Sequence, residues 1–208
     1  MQREAAQLGD GPCPAHWSAQ HCEMALNSLL AEGRRVLRDA GDLPGPRLRL
    51  YRGGASADLT LPPARRDGRV RLQLAAARAC ARAVSCEAAA LMLCAWSGES
   101  GREREVLFAT LEIAGGGVID QGYRIERDAA GQVTGFGPWS AAIGPCGGSG
   151  CAGLLNGPLL ALPWGARALS RTLTERAHTL LGSPGRAAAG EKARAQAAQR
   201  RATRNSEK

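Results

Sequence analysis

A chain of 208 residues has room for one ordinary domain with appendages and hardly for two. Apolar residues make up 44%, yet only 4% are aromatic, so the core must be built mainly from Leu, Val, Ile and Ala. Of the +8 net charge, Gly165 to Lys208 hold ten bases against three acids, a net +7, and the rest of the chain stands at +1. A near-neutral body with a basic end argues against a folded basic groove and for an arm that touches polyanions.

In chain order, MQREAAQLGD has no apolar core of a secretory signal. Seven cysteines, an odd number with no framework spacing, fit a reducing compartment, so the expectation is a cytoplasmic protein. After a loose start over residues 1–13, Pro14 is expected to open a helix running to about Ala40. Its buried face would be Cys22, Leu26, Leu29, Leu30, Gly33, Leu37 and Ala40. GDLPGP then stops it. RLRLYRGG, from Arg47, alternates as a strand with Leu48 and Leu50 inward, and ADLTLPP, from Ala57, is its partner.

Asp67 is placed to cap a second helix, with Val70, Leu74, Ala77, Ala81 and Val84 on its buried side. AALMLCAW and EVLFATLEI read as buried strands joined by the polar turn SGESGRER. GVIDQGYRIER alternates, and DAAGQ turns it into VTGFGPW, so a meander of about four antiparallel strands spans Ala88 to Trp139. Glu112, Asp120 and Glu126 are expected on the wet side of that sheet. The uncharged interval Ala129 to Ala166 is broken at Gly157, Pro158 and Pro163 and is too short for a membrane helix. Ala166, Leu169, Leu173, Ala177 and Leu180 mark a short amphipathic helix, closed by GSPG.

The expected fold is therefore a two-layer α+β domain over residues 14–140, with a mainly antiparallel sheet of about four to six strands and two helices on one face. A Gly/Pro-rich connector (141–165), the short helix (166–181) and a flexible basic C-terminal tail (182–208) follow. That tail has too little apolar surface to fold alone.

GPCGGSGCAG, from Gly144 to Gly153, is the stretch with chemical potential. Its G-x-G-x-x-G match lacks the strand before it and the helix after it that a pyrophosphate site requires. Its two thiols, Cys146 and Cys151, could join Cys13 and His16 in a tetrahedral zinc site, with His21 and Cys22 nearby in sequence. Cys13, placed before Pro14, would gain thiolate character at a helix start. Cys80, Cys86 and Cys94 sit in apolar runs and read as core residues. No catalytic motif is present, Ser149 lacks its G-x-S-x-G frame, and His178 stands alone on the last helix.

The leading expectation is a non-enzymatic interaction or accessory protein. Arg186, Lys192, Arg194, Arg200, Arg201 and Arg204 would engage nucleic acid or an acidic partner through the arm. The alternative is a small zinc-binding or thiol-redox protein.

Overall fold

The computed structural model describes residues 17–63, 67–97, 104–139, 153–156 and 162–182. The first helix, α1 (Ala19–Ala40), starts later than the sequence suggests. Ser18 lies in extended backbone, and its hydroxyl accepts the His21 N–H at 3.2 Å, so the cap is Ser18 rather than the turn at Pro14. The helix ends where GDLPGP predicts, with the Gly41 N–H donating to the Leu37 carbonyl at 2.9 Å. Cys22, Leu26, Leu29, Leu30, Gly33 and Leu37 form its buried face, as the spacing requires, whereas Ala40 is exposed.

β1 (Arg47–Arg52) and β2 (Ala55–Thr60) form a hairpin, and α2 (Asp67–Ala83) follows. The meander is β3 (Ala88–Ser97), β4 (Arg104–Ile113), β5 (Val118–Arg127) and β6 (Val133–Pro138). α3 (Trp164–Leu181) closes the described chain. All strands pair antiparallel in one six-stranded sheet of order β2-β1-β3-β4-β5-β6, in which β3 returns from α2 to pair with β1. The architecture is α+β.

The helices are not arranged as the sequence suggests. There are three among the described residues, and they lie on both faces of the sheet. Ala88, Ala90 and Met92 of β3 pack with α1 and with Leu107, Ala109, Leu111 and Ile113 of β4. The intervening Ala89 and Leu91 pack with Leu48, Leu50, α2 and α3. Alternation along one strand sends its side chains to opposite faces, so two cores separated by the sheet make three layers, not two. α3 is no bare appendage: Ala166, Leu173, Ala177 and Leu181 complete the second core beside Ala76, Ala77 and Cys80 of α2. Leu180, read as part of that face, is exposed, and Leu181 takes the buried place.

Two covered faces also explain the RLRL of β1. The leucines face α2 and α3, and the arginines lie under α1 with little exposure. Arg47 donates to Glu32 at 2.6 Å, and Arg49 bridges Glu32 at 3.0 Å and Asp58 at 2.6 Å. Arg52 fastens the other end, donating to the carbonyls of Val84 and Gly182 just beyond α2 and α3. The basic tail lies outside the described residues.

Candidate functional site

A cavity on the described surface lies where the start of α1 meets the β1–β2 hairpin. Tyr51 shares the α1-facing side of β1 with Arg47 and Arg49, at the strand end beyond the ion-pair network. Trp17, just before the Ser18 cap, packs edge-on to it, with ring centroids 5.0 Å apart and planes at 75°. The hairpin turns through Gly53 and Gly54, at φ of 56° and 75°, the left-handed pair that a two-residue loop demands. A Cβ on either glycine would meet nothing within 4 Å, so this wall is bare backbone facing open space. Ala25 and Ala55 supply methyl walls, and the cavity volume is about 470 Å³.

Two polar side chains complete the lining, His21 and Glu87. The His21 Nδ1 lies 2.9 Å from the Ser18 hydroxyl. Glu87 is fixed at three points: its N–H donates to the Tyr51 carbonyl, its carbonyl accepts the Ala114 N–H, and its carboxylate accepts the Gly53 N–H at 3.1 Å. Burial pushes the Tyr51 phenol up from its ordinary value, with Arg49 opposing, so the ring is an uncharged wall at neutral pH. Among the described residues, the cavity thus combines two aromatic residues, a histidine and a glutamate.

A second polar centre is structural. Glu112, expected on the wet side of the sheet, is 1% exposed. Its carboxylate accepts the N–H groups of Gly153 and Leu155 at 3.1 Å and of Asn156 at 2.8 Å. Asn156 in turn donates to the Ile113 carbonyl and accepts the Gly115 N–H, which pins residues 153–156 to the β4–β5 turn. Glu126, expected on the same side, accepts from Arg124 at 2.8 Å and is partly exposed, and Asp120 is exposed.

The sequence-selected arm residues Arg186, Lys192, Arg194, Arg200, Arg201 and Arg204 all lie outside the described residues. So do Cys13, His16, Cys146 and Cys151, the proposed zinc ligands, and Ser149. The two neighbours weighed with them separate: Cys22 is fully buried on α1, and His21 lines the cavity. Cys13 and Pro14, on which the thiolate expectation rests, lie outside the described residues as well. Among the described residues no group of three or more His, Cys, Asp or Glu is placed to hold a metal ion.

Cys80 and Cys86 are buried, as their apolar context suggests. Burial pushes the Cys80 thiol up to about 11, partly offset by a hydrogen bond from Thr174, and that of Cys86 up to about 12. Cys94 is half-buried and rises to about 12, from burial first and then the nearby Glu105 and Asp42 carboxylates. These three are poor thiolates at neutral pH. His178 is exposed on α3. The cavity escaped sequence reasoning because its two rings are 34 positions apart and its hairpin glycines look like any turn.

No described helix is long and apolar enough to cross a membrane. No protein-family model, no curated protein and no solved structure matches this chain.

Proposed function

We propose that this is a non-enzymatic, cytoplasmic interaction or accessory protein whose basic C-terminal arm engages nucleic acid or an acidic partner. The observation that carries this reading is the segregation of charge: a net +7 over Gly165 to Lys208 against +1 elsewhere. Arg186, Lys192, Arg194, Arg200, Arg201 and Arg204 supply the contacts. The segment after Trp164 contains no aromatic residue, so base stacking contributes nothing and affinity comes from counterion release.

The test is binding of a labelled oligonucleotide by the full chain and by a chain ended after Gly182, across a salt series. The full chain is expected to bind at low salt, with log K falling linearly by about 0.9 per phosphate contacted for each decade of salt. The shortened chain should lose this binding. Equal binding by both chains, or none by the full chain at low salt, overturns the reading for nucleic acid.

A further inference from the structure

We propose that the outer face of α3 is a stacking site for single-stranded nucleic acid. Trp164 takes an unpaired base, and Arg167 and Arg171 take the phosphates beside it. The site extends the basic arm onto the folded body and rests on the reading given for that arm.

The stripe follows from helix geometry. Trp164, Arg167, Arg171, Glu175 and His178 recur at three- and four-residue steps, which places them along one side of α3. All five are exposed, and Ala166, Leu173 and Ala177 on the opposite side are buried in the core shared with α2. Packing therefore fixes the helix and turns this stripe to solvent. Trp164 is 87% exposed, the most of any large apolar side chain among the described residues. Trp17 and Trp139, by contrast, are engaged edge-on with Tyr51 and Phe108. An indole presented to water at the head of a cationic stripe offers a π-face to a base.

Charge selects a polyanion. Arg167 and Arg171 are four positions apart, about 6 Å along the helix axis, so one strand can engage both. Arg167 is steadied by its Nε–H donating to the Leu162 carbonyl at 3.4 Å. Glu175 offsets part of the charge farther along, yet α3 carries three arginines against that one acid. After Leu181, seven bases stand against two acids, so positive charge continues from the helix into the arm. Charge alone does not choose among polyanions, but the tryptophan does. In a duplex the base faces are stacked on one another, whereas a single strand can turn a base onto an aromatic ring. Carboxylates of an acidic protein would satisfy the arginines and leave the indole uncovered.

The experiment compares the full chain with Trp164→Ala on a labelled single-stranded oligonucleotide at low salt. Three controls accompany it: a duplex of the same length, an abasic strand of the same length, and polyglutamate. Trp164→Ala is expected to weaken the single strand roughly tenfold and to leave all three controls unchanged. Trp164→Phe, which keeps a π-face, should recover most of the loss. An unchanged melt for Trp164→Ala separates this loss from unfolding. Arg167→Gln combined with Arg171→Gln should lower the salt slope on the single strand by about 1.4, for two phosphate contacts at about 0.7 each.

A full chain that binds no strand at low salt overturns the arm reading and the stacking site together. Arm-dependent binding that Trp164→Ala leaves unchanged overturns the stacking site alone. An equal loss on the duplex or the abasic strand overturns it as well, because unpaired bases are then not what the indole holds. An equal loss on polyglutamate assigns the stripe to an acidic protein instead.

Discussion

Glu112 has its carboxylate surrounded by three backbone N–H groups in a nearly dry part of the protein. Glu112→Gln keeps the shape but turns one acceptor into a donor facing donors. It is expected to destabilise the protein by about 1–3 kcal/mol, read as a lower urea midpoint at unchanged slope. The sequence misplaced this residue because an acid in a strand usually marks the solvent side. Only the approach of residues 153–156 makes burial tolerable there. The thiols were legible for the opposite reason, since apolar neighbours already imply burial. In the unfolded chain Cys80 and Cys86 lose their protons near 9.0, and in the folded chain only near 11 and 12. Between these values the folded state binds more protons, so the thiol contribution is fully present below about pH 9 and is lost as pH rises through 9 to 12. A stability–pH series should decline on the alkaline side, and less so in Cys86→Ala than in its parent. At about pH 8, alkylation mapped by mass spectrometry should label Cys80 and Cys86 only after urea is added. Labelling of both in the native protein at the rate of a free thiol would contradict the assignment.

At the scale of elements, α1 was the most legible piece, because six buried positions repeat at helical spacing. What periodicity could not say is how closely the helix approaches the sheet. A Cβ at Gly33 would lie 2.6 Å from the Met92 sulfur and 3.2 Å from a Leu107 methyl. Gly33→Ala gains about 1 kcal/mol of helix propensity but overpacks a sealed contact at a cost of about 1–3 kcal/mol. The net expectation is a loss of about 1 kcal/mol, measured by thermal or urea melts. Met92→Ala in the same chain should convert the alanine at 33 from harmful to neutral or better, a coupling visible in a double-mutant cycle. β1 teaches a related lesson. Its alternation gave the strand, but basic residues at every second position pointed to water. Glu32 on α1 and Asp58 on β2 turn that side into a partly buried ion-pair layer.

At the scale of the whole molecule, α3 belongs to the folded body, since it lies against α2 and contributes four buried residues to their shared core. A chain ended after Gly182 keeps every described helix and strand and is expected to retain its melting temperature. One ended after Leu162 exposes Ala76, Ala77 and Cys80 and should lose cooperative unfolding, as followed by circular dichroism and dye binding. A matching melt for both truncations would show that α3 is dispensable. The same Gly182 truncation isolates the basic arm, so the stability and salt experiments share one variant.

Local pattern by itself determined the helices, the strands, the antiparallel meander and the uneven charge, because each depends on neighbours within a few positions. Tertiary structure decided which face of the sheet each helix covers, why Glu112 is buried, and that Trp17 meets Tyr51 beside Glu87. Those outcomes depend on contacts between distant segments. A hydrophobic stripe declares that a face must be covered, but which element covers it follows only once the whole chain has packed.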